Sequence, residues 1–244
     1  TLLIDAGNTR IKWQLRAGDA AVRAGSGGLE ANDLFQEIAP NHWQAISSVS
    51  VSTVRSESAR RSLESVISSY TIAPLQFFWT RVAHGPLVCA YSDPSTMGAD
   101  RWHAMIGAWD LIQGACVVVD AGSAITIDWI DPRGNHLGGY ILPGRNMMTG
   151  SLKQGTARVL FASQETEGTS PGRSTAECVF HGVNWAIEAL ALQLGRGLGV
   201  PILITGGDGA LIKQALDADE ACRSLEVQLR PDLVLDGLAL VEAG

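Results

Sequence analysis

Residues 117–129 read VVVDAGSAITIDW, and residues 2–14 read LLIDAGNTRIKWQ. Each stretch runs an apolar segment into an aspartate, Asp5 or Asp120, and then into a turn of small residues. After the turn, Ile11, Trp13 and Leu15 alternate with Arg10, Lys12 and Gln14, the period of a half-buried strand. The second copy alternates at Ile125, Ile127 and Trp129. Strand, tight turn, strand predicts a hairpin in each copy. The two aspartates stand close to half of the 244 residues apart. That spacing predicts an internal duplication with one α/β unit per half, and it is too long for a solenoid repeat.

Between the copies, NDLFQEIA predicts a short helix capped by Asn32, and QAISSVSV a strand. SESARRSLESVISSY predicts an amphipathic helix and LQFFW a strand. GADRWHAMIGAWDLIQG places Met105, Trp109 and Ile112 at helical spacing and predicts a stop at Gly114. In the second half, GGYILPG reads as a strand ending in a Pro-Gly turn, and TAECVFHGVNWAIEALALQLG as a long helix. PILITGG reads as a strand entering a glycine turn, and PDLVLDGLALVEA as a terminal helix with proline near its first turn. Strands alternating with helices in both halves predict α/β units with mixed sheets, divided as 1–114 and 115–244 with a ligand cleft between them. SQETEGTSPGRS, residues 163–174, is the segment expected to form a mobile loop.

Composition narrows the classes. A hydrophobic content of 46% supports a buried core. The apolar runs are interrupted well short of the roughly 20 residues a membrane span needs, and no leader pattern is expected, so a cytoplasmic protein without membrane contact is the expectation. Cys89, Cys116, Cys178 and Cys222 are scattered without a C-x-x-C pair, which suits reduced thiols rather than zinc or disulfides. A net charge of −7 gives no general attraction to nucleic acid, and none is expected as a partner.

The doubled motif has a chemical reading. Gly7 and Gly122 allow the backbone to pass close to a ligand. Hairpin amides with the hydroxyls of Thr9 and Ser123 can donate hydrogen bonds to phosphate oxygens. Asp5 and Asp120, at strand ends, are placed to hold a cation that offsets phosphate charge. ITGGDGA supplies a third glycine turn, suited to a flat base or sugar. A single D-x-G-N is common in ordinary hairpins; two copies at matching positions favour nucleotide binding. Neither G-x-x-x-x-G-K-[ST] nor G-x-G-x-x-G is present.

Paired phosphate hairpins in duplicated halves resemble the actin, heat-shock-chaperone and sugar-kinase superfamily, with its ribonuclease H-like halves. Within it the whole chain resembles the type III pantothenate kinases, through DAGNT at 5–9, YSDPSTMGADR at 91–101, DAGSAIT at 120–126, GGYILPG at 138–144, ST at 174–175 followed by Gly182, and ITGGDG at 204–209. The resemblance implies ATP-dependent phosphorylation of pantothenate to 4'-phosphopantothenate, the first step of coenzyme A biosynthesis. It implies an ATP-phosphate loop over Asp5, Ala6, Gly7, Asn8, Thr9, Arg10, Ile11 and Lys12, with Ser123 as a second ATP contact. Pantothenate contacts fall on Tyr91, Gly98, Ala99, Asp100, Arg101 and Thr175. Asp100 becomes the catalytic base and Asp120 the ligand of a monovalent cation, potassium or ammonium, with magnesium on the ATP phosphates. A homodimer, with substrate sites built partly at the subunit interface, is implied as well. Ser123 stands where the family usually has threonine, Phe161 where it has proline, and Ser174 where it has asparagine.

Each of these residues also has a plainer role. Asp100 in a first helical turn favours the helix dipole, while a primary alcohol attacking a γ-phosphoryl group needs a positioned proton acceptor. Arg101 suits bidentate pairing with a substrate carboxylate or an exposed ion pair. Tyr91 suits a slender polar substrate or a core plug. Thr175 suits a substrate hydrogen bond or a helix cap. Lys12 suits a phosphate contact or a solvent-facing strand position. His103 and His181 read as helix-surface or packing residues rather than metal ligands. The rival functions are another small-molecule kinase of the superfamily and a regulatory or accessory protein that keeps the fold.

Overall fold

The structure, a computed structural model, describes residues 1–28, 34–155, 166–196 and 198–243. Asn32 and Phe161 lie outside the described residues. The chain divides into two compact units: Thr1–Gly114 with Ile130–Gly138 and Asp232–Gly244, and Ala115–Trp129 with Gly139–Pro231.

The first unit begins with β1 (Leu2–Ala6), β2 (Ile11–Ala17) and β3 (Ala20–Gly27), followed by α1 (Pro40–Ala45), β4 (Val49–Thr53), α2 (Glu57–Ser68) and β5 (Leu75–Phe78). A short ladder of β6 (Ala83–His84) and β7 (Leu87–Val88) precedes α3 (Ala99–Ile112). The sheet order is β3-β2-β1-β4-β5, with β1 antiparallel to β2 and parallel to β4. The second sheet and its helices comprise β8 (Cys116–Ala121), β9 (Ala124–Ile130), β10 (His136–Pro143), α4 (Arg145–Gly155), α5 (Thr175–Gly195), β11 (Ile202–Thr205), α6 (Gly209–Ala218) and β12 (Val227–Leu229), with the start of β10, His136–Gly138, counted in the first unit. Its order, β10-β9-β8-β11-β12, repeats that of the first sheet strand for strand. The terminal helix α7 (Leu233–Ala243) belongs to the first unit. The duplicated hairpins are therefore the opening strands of two equivalent mixed sheets, the ribonuclease H-like halves of an actin-like fold. Among the described residues no helix is long and apolar enough to cross a membrane.

The strand pattern decides which chemistry faces which way. Leu2, Ile4, Ala6, Ile11, Trp13 and Leu15 join Leu63 and Ile67 of α2 in one core. Period-two alternation then sends Leu3 and Asp5 to the opposite face of the sheet. That face is covered by α3 and α7, which pack on each other and on β4. The central strands β1 and β8 are apolar on both faces because both faces are covered.

Two expectations are corrected. Residues 34–37 form a turn, not a helix, because the Leu34 carbonyl accepts a hydrogen bond from the Trp13 indole at 2.7 Å. The helix that follows starts at Pro40, whose fixed φ suits a first turn. α3 ends at Ile112, short of the expected glycine: Gln113, not Gly114, adopts the left-handed conformation at φ 48° and closes the helix on the Trp109 carbonyl. The edge strand β3 (AAVRAGSG) carries no apolar alternation, because an exposed edge needs none. Of the segment 163–174, the described part is bonded to α5, through Asn184 Nδ2 to the Gly168 carbonyl (3.1 Å) and His181 Nδ1 to the Ser170 carbonyl (2.7 Å).

Candidate active site

The two near-identical hairpins do not make identical loops. In the first, Ala6 pairs with Ile11, so Gly7, Asn8, Thr9 and Arg10 loop out between the strands. In the second, only Gly122 and Ser123 separate β8 from β9, and the Gly122 amide closes on the Ala124 carbonyl at 2.9 Å. Asn8, Thr9 and Arg10 are exposed; Ala6 and Ile11 are fully buried core residues. Arg10 bonds Ser26 Oγ on β3 at 2.6 Å. Lys12 sits directly across the hairpin from Asp5, a cross-strand pair of opposite charge, and Asp5 also aligns with Ser52 on β4.

The outer side of the first loop is held by the end of β4. Thr53 Oγ1 donates to the Ala6 carbonyl (3.2 Å) and accepts the Arg55 amide (3.1 Å). Arg55 then donates from Nε to the Gly7 carbonyl (2.7 Å) and from Nη2 to the Asn8 carbonyl (3.2 Å). A groove of about 440 Å³ runs along this side, lined by Asn8, Thr9, Arg55, Ser58 and Ser62. Sequence reading passed over Arg55, since its partners are carbonyls nearly fifty residues away.

On the Asp5 face, α3 begins at the GADR motif. Gly98 precedes the helix, and a Cβ there would lie 2.6 Å from Asp100 Oδ1 and 3.3 Å from Val54 Cγ1. Glycine thus lets the Asp100 carboxylate fold back over the helix start, where Oδ1 accepts the Arg101 amide at 2.7 Å. Arg101 is only 4% exposed, which rules out the plain surface ion pair. Its Nη1 donates to the Tyr91 hydroxyl at 2.9 Å, and its guanidinium carbon lies 5.7 Å from the Tyr91 ring centroid. Tyr91 stacks on His136 on its other flank, with centroids 6.3 Å apart, and His136 Nδ1 accepts the Ala90 amide. His136 is buried and was not singled out by sequence; nothing in its local pattern marks it. One turn into α3, His103 is fully buried with Nδ1 2.7 Å from Ser52 Oγ. Burial, with a smaller contribution from His84, pushes its pKa down to about 3. It is therefore a neutral packing residue.

In the second unit, two separated glycine turns meet the second hairpin beside Asp120. Gly206, at φ 89°, passes so close to Ala121 that no side chain fits, and a Cβ there would be 2.5 Å from Asp120 Oδ1. The Asp208 amide bonds the Ala121 carbonyl at 2.9 Å. Gly144 donates to the Ser123 carbonyl at 3.0 Å, and its own Cβ would collide with that oxygen at 2.6 Å. The glycine turns after β10 and β11 are thereby seated on the second hairpin. Thr175 is the first residue of α5, and Ser174, not Thr175, caps the helix by accepting the Glu177 amide at 3.2 Å. Glu177 Oε2 in turn accepts the amide of Arg173, the residue before the cap, at 2.6 Å. Thr175 instead lines an apolar cavity of about 520 Å³ with Pro143, Met148, Leu152, Val179 and Val183. Within the first unit the structure thus groups the first hairpin through β4 with the Gly98–Arg101 turn and Tyr91; within the second it groups Asp120 and Ser123.

Comparison with known proteins extends this geometry. A relative from Marinobacter nauticus, named a type III pantothenate kinase, is 43% identical over 97% of this chain and 96% of its own. Among solved structures, a Sinorhizobium meliloti protein described as a candidate 2-dehydro-3-deoxygalactonokinase superposes with a TM-score of 0.57 at 14% identity, covering 99% of this chain and 98% of that one. The activator of 2-hydroxyisocaproyl-CoA dehydratase from Clostridium difficile, with bound ADPNP, reaches 0.54 at 13% identity, over 99% and 93% of the two chains. These two establish the fold alone. The family model described as type III pantothenate kinase matches residues 1–195, taking in both hairpins, the GADR turn and the whole of α5, so the chain belongs to the type III pantothenate kinase family.

Proposed function

We propose that this protein transfers the γ-phosphate of ATP to the terminal hydroxyl of pantothenate, giving 4'-phosphopantothenate and ADP, the entry step of coenzyme A synthesis. The observation that carries the reading is the α3 start, where a carboxylate held at a helix N-terminus adjoins a buried arginine braced by a tyrosine hydroxyl. Asp100 accepts the hydroxyl proton as the alcohol attacks phosphorus, and the bond to the ADP oxygen breaks. Arg101 pairs with the pantothenate carboxylate, and Tyr91 packs along the substrate's slender body. The Gly7–Arg10 loop and Ser123 contact the ATP phosphates. Gly98 and Ala99 supply backbone at the substrate, and Thr175 a hydroxyl.

The residues present fit the implied cations. Asp120 offers carboxylate oxygen against Gly122 and Gly206, glycines that leave room beside it, a hard-donor corner suited to potassium or ammonium. Asp120 would hold that ion, which offsets phosphate charge. Magnesium takes oxygen ligands and keeps substrate phosphates among them, with Asp5 as the carboxylate donor of the first hairpin. Exposed Tyr140, Ile141, Met147 and Trp185 in the second unit favour a homodimer. A cytoplasmic setting fits the four free cysteines, of which Cys116 is pushed up to about 12 by burial and is inert.

The test is product identification. Purified protein with ATP, magnesium, potassium and pantothenate should yield ADP and a monophosphate ester of pantothenate in equal amounts by mass spectrometry. Turnover with a sugar but not with pantothenate would transfer the protein to the rival kinase reading, and no turnover with any acceptor to the regulatory one.

A further inference from the structure

We propose that Arg55 is the positioning residue of the first phosphate-binding hairpin, setting the direction of two loop amides; this rests on the reading that the hairpin contacts ATP phosphates. The geometry is specific. Arg55 holds two consecutive carbonyls, Gly7 and Asn8, from one guanidinium. Thr53, two residues earlier, holds the preceding carbonyl, Ala6, and is itself bonded to the Arg55 amide. Three successive peptides of the loop are therefore gripped by their oxygen ends from the side of β4.

A trans peptide is planar, with its N–H antiparallel to its C=O. Fixing the Gly7 and Asn8 oxygens toward Arg55 turns the Asn8 and Thr9 N–H groups to the opposite side of the loop. Successive amides directed one way form an anion-binding concavity. The guanidinium behind the loop contributes a positive charge, strengthening the same field without touching the anion. The second hairpin needs no such brace. Its two-residue turn is closed by its own Gly122–Ala124 bond and by Gly144 seated on Ser123. The longer first loop, with exposed Asn8, Thr9 and Arg10, has more peptide planes to orient, and Arg55 supplies the constraint.

Ser58 and Ser62 line the groove beside α2 together with Arg55. Nucleotide phosphate is expected on the other side of the loop, so the groove's hydroxyls are dispensable for nucleotide.

The experiment is calorimetric titration of ADP and AMP into wild type, Arg55→Gln, Arg55→Lys, Ser62→Ala and Gly7→Val, with thermal melts to establish that each is folded. Arg55→Gln is expected to weaken ADP by about tenfold or more, the scale of a lost charge-assisted interaction, and AMP much less. Arg55→Lys, able to hold one carbonyl, should fall between, and Ser62→Ala should match wild type. In turnover, Arg55→Gln should raise the KM for ATP with little change in the KM for pantothenate. If Gly7→Val loses ADP while Arg55→Gln binds as wild type, the Arg55 assignment is overturned and the hairpin reading stands. If both bind as wild type, the hairpin reading itself fails. Equal losses in Ser62→Ala and Arg55→Gln would put the nucleotide in the groove and overturn the positioning role.

Discussion

Arg101 Nη1 donates to the Tyr91 hydroxyl at 2.9 Å, and the pair is packed so that the arginine retains only 4% of its exposure. A guanidinium offers several donors in one plane, a fork that matches a carboxylate, and pairing with the pantothenate carboxylate is the role proposed for it. Tyr91→Phe should raise the KM for pantothenate several-fold, about what one hydrogen bond of ~1 kcal/mol is worth, with turnover and the KM for ATP near wild type. Arg101→Lys, which loses the planar fork, should raise it by about tenfold or more. Unchanged pantothenate KM in a variant that merely melts earlier would return the pair to structure.

α3 and α7 approach through glycines. A Cβ on Gly237 would overlap the His103 carbonyl, and one on Gly107 would lie 2.7 Å from the Leu233 carbonyl. Helix propensity alone predicts that Gly237→Ala gains about 1 kcal/mol; overpacking against backbone costs about 1–3 kcal/mol. The carbonyl cannot rotate away inside a helix, so packing wins. Gly237→Ala should lower Tm by several degrees, at about 2–4 °C per kcal/mol for a chain of this size. A raised Tm would contradict the close crossing.

His103 ties stability to acid. Its folded pKa lies near 3, against an ordinary 6.5, because burial disfavours the charged ring. Below pH 6.5 the unfolded chain binds the proton and the folded one does not, so the stabilisation is fully present above that pH and is lost as pH falls toward 3. Inside that window the contribution is about 1.4 kcal/mol per pH unit. Urea unfolding between pH 7 and 5 should show this slope in wild type and a flatter one in His103→Gln. A His103 ring that titrates near 6.5 by NMR in the folded wild type would refute the burial argument.

Much of this was legible in the residues. A buried run ending in Asp-Ala-Gly, repeated near mid-chain, points to two equivalent hairpins, and their matching sheet orders follow. The difference in loop length did not show, because both copies spell nearly the same turn and diverge only in where the second strand rejoins the sheet. Arg55 and His136 stayed hidden for another reason: what they hold is backbone, at Gly7, Asn8 and Ala90, and backbone leaves no signature in a sequence. The turn at 34–37 escaped because Leu34, Phe35 and Ile38 have helical spacing, while the Trp13 indole claims the carbonyl a helix would use.

The central claim is that Asp100 takes the substrate proton rather than only serving the helix start, where it already accepts the Arg101 amide. Asparagine keeps the size and caps helices about as well as aspartate, so a structural role predicts near-normal turnover and a loss of roughly 0.3–1 kcal/mol of stability. General-base catalysis predicts a fall on the order of a hundredfold or more. The measurement is pantothenate-dependent ADP release at saturating ATP by wild type and Asp100→Asn side by side, with ADP affinity measured on both. We expect pantothenate-dependent release in wild type and its near loss in the variant at unchanged ADP affinity. An Asp100→Asn protein that keeps most of its turnover while melting slightly earlier would contradict the account.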